Sequence, residues 1–445
     1  MTDWFQAEDH VDRALQHFER GRWAEAEAEL RKALSVRPDR GEWRFNLGLT
    51  LEAAGRLEEA IDCYREAASL MPGEPDPIVA AAIAANRLDQ HEESIRLAEQ
   101  AAKLRPDDDG IYAIWIESLI CLERHEDAET VHYLAQQSAE EAPRSLAAIA
   151  ESLIERERWP QADWCLREAL RLEPGLPRAR ARLAAVLAAS GKAERAVQLY
   201  WRELRDDPGS IDTLLDFGDL LATMRRMPEA AEKFRRVLEF EPANVDAHWR
   251  LGDLALQAGE HDRARLELEL VLRLDPTYPE ARLRLAESLL GMGRLDEARG
   301  HLRGELDSLA AGEADPDPHR LGVTLLRADW PHEAVGPLAA AVEEADDAET
   351  WRLLALAKYR SGDRRGGIRA SREALRREPE CRRSLHNIAL ALLHEGMPRR
   401  ALAFVRKGLL GDRHDDALRR LRAKLWLAIL RDRLRSWRWC RAARP

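Results

Sequence analysis

The chain has 445 residues, 45% hydrophobic and 33% charged, and a formal net charge of −11. Five cysteines (Cys63, Cys121, Cys165, Cys381 and Cys440), odd in number, far apart and never spaced C-x-x-C, exclude disulfide and zinc frameworks. The start "MTDWFQAEDH" has no basic segment leading into an apolar core, and no window approaches the ~18 apolar residues of a membrane span, so a reduced, soluble, cytoplasmic protein is expected.

Along the chain, apolar material recurs in thin units rather than in thick-cored domains. A shift of 34 residues brings Pro38, Pro72, Pro106, Pro174, Pro208, Pro242 and Pro276 into one column, with Glu140 in the gap. A second column is small in twelve copies: Ala26, Ala60, Ser94, Ala128, Ala162, Ala196, Ala230, Ala264, Ala298, Ala334, Gly367 and Ala401. The spacing slips only after Ala298, where "AGEADPDPH" inserts two residues before the next unit drops one.

Val245 to Tyr278 shows how one unit reads. His248, Leu251, Gly252 and Ala255 form an i, i+3, i+4, i+7 stripe on a first helix, and Ala264, Leu268 and Val271 form a stripe on a second. Gly259 lies between them, where the chain must turn and glycine tolerates a positive φ. Pro276 ends the second helix. Gly252 recurs as Gly48, Gly218 and Gly322, or as Ala14, Ala184 and Ala286. That column demands smallness for helix contact; a phosphate loop would not be spread over many copies or accept alanine.

The period and the residues in "WRFNLGLTLEAAGRLEEAIDCYREAASLMP", with Leu47, Gly48, Leu51, Ala60, Tyr64, Ala67 and Pro72 at motif positions, resemble the tetratricopeptide repeat. The resemblance runs from Ala7 to about Asp415. It implies an all-α fold: a right-handed superhelical solenoid of about twelve helix-turn-helix repeats, whose first helices make an inner wall where partners bind. The units divide into nine repeats over 7–310, three over 315–415 after the insertion, and a basic C-terminal capping helix and tail over 416–445. Looser packing is expected in the third unit, where Ala81 and Ala82 replace Leu-Gly, and in the eleventh, where Gly367 and Ser371 replace alanine and an aromatic.

No catalytic or metal motif interrupts this pattern. His10 with His17, and His125 with His132, could share helix faces, but nothing nearby completes a metal site. Some family members carry their repeats as an arm on an enzyme such as a glycosyltransferase. Only about 30 residues follow the last repeat here, too few for a catalytic domain. No cofactor and no catalytic residue are expected.

If unit positions 4, 7, 8 and 11 of a first helix face the core, positions 2, 5, 6, 9, 12 and 13 face away from it and are the candidate groove contacts. In the middle units they supply Asp212, Asp216, Asp219, Asp253 and Glu287 against Arg250 and Arg284, preceded by Glu117 and Glu151. Trp249 stands among them as a candidate anchor. Later units supply Arg320 and Arg352, so the wall turns from acidic to basic. The alternative is a set of solvated faces in which Arg250 with Asp253, and Arg284 with Glu287, are i, i+3 pairs supporting their own helices. Tetratricopeptide co-chaperones that clamp a terminal carboxylate resemble one another in an Asn at position 9. None of Asn46, Asn86, Asn244 and Asn387 stands there, which argues against that mode.

The expected function is a protein interaction scaffold that binds peptide segments of other proteins in its groove. The alternative is a non-catalytic regulatory or substrate-delivering subunit of a separate enzyme, such as a glycosyltransferase or protease. The tail, with a charge of +8 over 416–445, either caps the last repeat through Leu418, Leu421, Leu425 and Ile429 or anchors peripherally to a membrane or acidic partner. A helix from Asp416 to Arg435 with a mobile Trp437–Pro445 end is expected. Nucleic acid is not an expected partner, because the rest of the chain is acidic.

Overall fold

A computed structural model describes residues 2–442, with side chains described for residues 7–431. The described residues form helices and no strand, in two units, Met1–Lys233 and Phe234–Pro445. The first unit runs α1 (Thr2–Glu19), α2 (Trp23–Val36), α3 (Gly41–Ala53), α4 (Leu57–Leu70), α5 (Asp76–Arg87), α6 (His91–Leu104), α7 (Asp109–Cys121), α8 (His125–Ser138), α9 (Pro143–Glu155), α10 (Trp159–Leu172), α11 (Ala179–Ala189), α12 (Ala193–Asp206) and α13 (Ile211–Thr223). The boundary falls inside α14 (Met227–Phe240). The second unit continues with α15 (Val245–Gln257), α16 (His261–Leu274), α17 (Ala281–Gly291), α18 (Leu295–Ala311), α19 (Pro318–Arg327), α20 (Pro331–Glu344), α21 (Ala348–Arg360), α22 (Arg364–Arg377), α23 (Arg382–His394), α24 (Pro398–Gly411) and α25 (Asp416–Ala442).

Each first helix turns sharply into its second through one residue of positive φ. The set is Gly21, Gly55, Asp89, Glu123, Glu157, Gly191, Arg225, Gly259, Gly293, Asp329, Gly362 and Gly396, the same spacing as the small column. Five of these are not glycine, so the tight turn is imposed by helix packing even where the residue disfavours it. The packing that imposes it centres on the small column. Ala26, Ala60, Ser94, Ala128, Ala162, Ala196, Ala230, Ala264, Ala298, Ala334 and Ala401 are all 0% exposed. Facing them, Gly48 lets the Tyr64 ring approach so closely that a Cβ would sit 2.4 Å from it, and Gly322 admits Leu338 in the same way.

Bonds between units reinforce the stack. The Asp109 carboxylate on α7 accepts the backbone N–H groups of Arg144 (2.5 Å) and Ser145 (3.1 Å), capping α9 from the preceding repeat. Within one repeat, Arg178, held at φ 61° after Pro177, donates its N–H to Glu203 on α12 at 3.0 Å.

The looser packing expected at the eleventh unit is not found. Tyr359 on α21 lies against Gly367, where a Cβ would meet its ring at 2.5 Å, and its hydroxyl lies 3.1 Å from Ser371 Oγ. The aromatic has moved from the second helix to the first and fills the same space. In the third unit Ala81 and Ala82 are fully buried, and Ser94 Oγ donates to the Ala82 carbonyl.

The insertion lengthens α18, which ends in a left-handed Gly312, while Asp317 caps α19. One hydrophobic cluster contains Leu302 before it and Leu321 and Leu325 after it. At the C-terminus, Leu418, Leu421, Leu425 and Ile429 are buried in one cluster with Ala401 and Val405. The helix carrying them continues past Arg435 to Ala442, and residues 443–445 lie outside the described residues. Among the described residues, no helix is long and apolar enough to cross a membrane.

Candidate functional site

The positions read as facing away from the core line open grooves in both units. In the first, a groove of about 460 Å³ lies over α5, α7 and α9. Val79 and Ala113 (position 5), Ile114 (position 6), Ile83 and Glu117 (position 9) and Arg182 (position 6) line it. In the second, a groove of about 320 Å³ lies between α21 and α23, lined by Arg352 and His386 (position 5), Leu353 and Asn387 (position 6), Leu356 (position 9) and Arg383 (position 2).

Most of the predicted charges are engaged with one another. In the first unit Arg182 reaches Glu151 at 2.8 Å and Glu117 at 3.8 Å, binding three consecutive repeats together. Burial pushes the Glu117 carboxyl above its usual range, and the Arg182 cation works against that rise. Asp212 pairs with Arg178 at 3.1 Å. Asp216 and Asp219 lie near Tyr200, whose hydroxyl is pushed up first by burial and then by these two carboxylates.

In the second unit Arg284 is the centre. It is 11% exposed and lies 2.8 Å from Asp253, 3.5 Å from Glu280 and 3.8 Å from Glu287. The close partner is thus Asp253 in the preceding repeat, and Glu287 within its own helix is the most distant. Arg320 extends the network, 3.6 Å from both Glu280 and Glu287. It therefore belongs with the acidic section, while Arg352 in the next unit pairs with Glu349. Arg250 pairs with Asp246 at 3.6 Å.

Trp249 is half-buried against the core, 6.1 Å from the Tyr278 ring and beneath the Arg284 guanidinium at 5.8 Å. Its indole N–H is buried without a partner.

Arg182 and Arg383 were not among the residues singled out in the sequence. Arg182 occupies the same position as Arg250 and Arg284, so the period itself carried the signal. Three of the four paired histidines have protein partners: His10 bonds Glu29 at 2.5 Å, His125 bonds Ser152 at 3.0 Å and His132 bonds Ser145 at 3.3 Å.

A helical repeat protein with grooves on its first-helix face is the class these features define. Tetratricopeptide repeat models match residues 11–75, 215–279 and 352–417, and a second such model matches 267–304. The chain is a tetratricopeptide repeat protein. Similar solved structures include the APC/C hetero-tetramer Cut9-Hcn1, with 15% identity, a TM-score of 0.41 and coverage of 93% of this chain and 95% of that one. Yeast Tom70 has 14% identity, a TM-score of 0.38 and coverage of 97% of each chain. A human IFIT1 dimer with m7Gppp-AAAA has 17% identity, a TM-score of 0.49 and coverage of 83% of this chain and 89% of that one. A comparison with curated proteins finds no match to the sequence.

Proposed function

We propose that the protein is a non-catalytic interaction scaffold that holds peptide segments of partner proteins against its first helices. The observation that supports this reading is the lining of the two grooves. Positions 5, 6 and 9 of successive first helices, fixed by the 34-residue period, supply open surface rather than core in both units.

The two grooves differ in the chemistry they offer. Beside Ile83 and Ile114, Glu117 and Glu151 suit an apolar side chain with a basic neighbour. Around Arg352, Arg383 and His386, the second groove suits carboxylates. The acidic residues Asp212, Asp216, Asp219, Asp253 and Glu287, with Arg178 holding Asp212 and Arg284 holding Asp253 and Glu287, give a bound segment a charged rim that sets its register.

Site-specific photo-crosslinking tests the reading. A benzophenone amino acid placed at Ile114 or at His386 is expected to capture protein partners in cell extract, whereas the same group at Tyr133, 60% exposed on a second helix, captures none. Crosslinks from Tyr133 alone would move the binding face away from the first helices.

A further inference from the structure

The opposite face, built by second helices, changes character near the C-terminus. From Arg364 onward the sequence holds 23 Lys or Arg against 8 Asp or Glu, within a chain whose net charge is −11. Between α22 and α24 lies a groove of about 440 Å³ with Arg365, Arg369, Arg372 and Arg400 around it and Ile368, Met397 and Phe404 among its apolar lining. The four arginines are exposed, and among the described residues no carboxylate lies within 4 Å of any of them.

The repeat shows what stands at these positions elsewhere. Counting from the small residue of each second helix, the next residue forward and the residue four back in the following unit carry an ion pair in Glu27–Arg56 (2.8 Å) and Glu129–Arg158 (3.1 Å). Here they are Ile368 and Met397. The residue five forward and the residue one back in the following unit form Arg65–Glu93 at 3.0 Å. Here they are Arg372 and Arg400, two cations.

Other units place two arginines in that second register, but each time one is neutralised locally: Arg167 by Asp163 at 2.8 Å and Arg263 by Glu260 at 3.0 Å. The α22–α24 groove carries neither kind of bridging pair, and its two arginines in the second register, unlike those of the other units, have no local carboxylate partner among the described residues. Like charges gathered around the cleft repel one another and add nothing to the fold, while its floor is the edge of the core, where Met397 and Phe404 are only half-buried against the cluster that holds Ile368.

We infer that this groove docks an acidic segment of a partner protein, with an aliphatic or aromatic side chain seated on Ile368, Met397 and Phe404 and flanking carboxylates held by the four guanidiniums. Guanidinium–carboxylate pairing provides the directional contacts, and the cleft admits a side chain, which a flat lipid surface would not supply. This site lies on the face away from the first-helix grooves and does not depend on them.

The experiment measures, by fluorescence anisotropy, binding of a labelled synthetic peptide in which Glu alternates with Leu and Phe. Three comparisons accompany it: the Gln-for-Glu peptide, the Ala-for-Leu/Phe peptide, and phosphatidylserine vesicles. The expected result is binding of the acidic apolar peptide that is weakened roughly tenfold or more by Arg369→Glu with Arg372→Glu, less by Arg369→Gln with Arg372→Gln, and not by Arg195→Glu on α12. Both control peptides bind at least roughly tenfold more weakly. Circular dichroism of each variant verifies the fold. Absence of binding, equal binding of the Gln peptide, indifference to the Arg369 and Arg372 changes, or binding of vesicles alone would each overturn the inference.

Discussion

In the second unit Arg284 and Arg383 both stand on first helices at positions turned from the core. Arg284, 11% exposed, is fixed among Asp253, Glu280 and Glu287, with Trp249 under its guanidinium. Arg383 is exposed on a groove wall, and though its charge is felt by Glu349 it makes no ion pair among the described residues. A groove charge in this repeat is therefore tied to a neighbouring repeat, as Arg284 is, paired within its own helix, as Arg352 is, or left exposed, as Arg383 is. The number of arginines on a face says nothing about which; the partner list does.

The strongest way to break the comparison is to show that the two regions are not equally well built. Leu425, fully buried under the last repeat, holds the end nearest Arg383. Leu425→Ala should lower stability by about 2–5 kcal/mol, against within about 0.5 kcal/mol for Leu427→Ala, whose side chain is 59% exposed. Urea unfolding followed by circular dichroism measures both. Equal effects would mean that α25 does not cover the last repeat.

Next in size, Arg284→Gln leaves Asp253 without its close cation and Glu280 and Glu287 with Arg320 alone. We expect a loss of about 1–3 kcal/mol, reduced from a fully buried pair because the carboxylates keep some solvent. Arg383→Gln should change stability by no more than about 0.5 kcal/mol. Similar losses at the two sites would erase the distinction.

The first unit offers a titratable version of the fixed charge. Glu29 is held down to about 2 by hydrogen bonds from Lys32 and then His10. Its folded value lies below the unfolded 4.5, so its stabilisation is full above pH 4.5 and fades as pH falls towards 2. Glu29→Gln should cost about 1–2 kcal/mol at neutral pH, discounted for exposed partners, and almost nothing near the lower end of that window. A pH-independent difference in unfolding midpoint would show that the carboxylate's charge is not what matters.

The smallest expected effect is on Arg352, already paired with Glu349 but on the open groove. Arg352→Gln should leave the unfolding midpoint within experimental error while reducing the salt sensitivity of any acidic ligand bound there, measured by titration at two ionic strengths. A shifted midpoint would class it with Arg284.

The sequence by itself determined the architecture at the level of the repeat. The small column, the turn position and the apolar stripe of Leu418, Leu421, Leu425 and Ile429 are local consequences of a 3.6-residue period and of φ, and the structure has each of them in place. Helical phase also separated the groove face from the core in outline, although Ala147, Ala148 and Leu215, at positions read as turned away, are buried. Phase cannot say which side chain of a neighbouring helix lies within reach, because that depends on how two helices pack. Only the tertiary structure decided that Arg284 prefers Asp253 in the preceding repeat to Glu287 in its own helix, that Trp249 lies against the core, and that Tyr359 fills the space over Gly367. It also buried Lys233, 2% exposed, with its ammonium 4.3 Å from the centre of the Trp201 ring. In each case the deciding quantity is a distance between helices, and the pattern along one helix does not contain it.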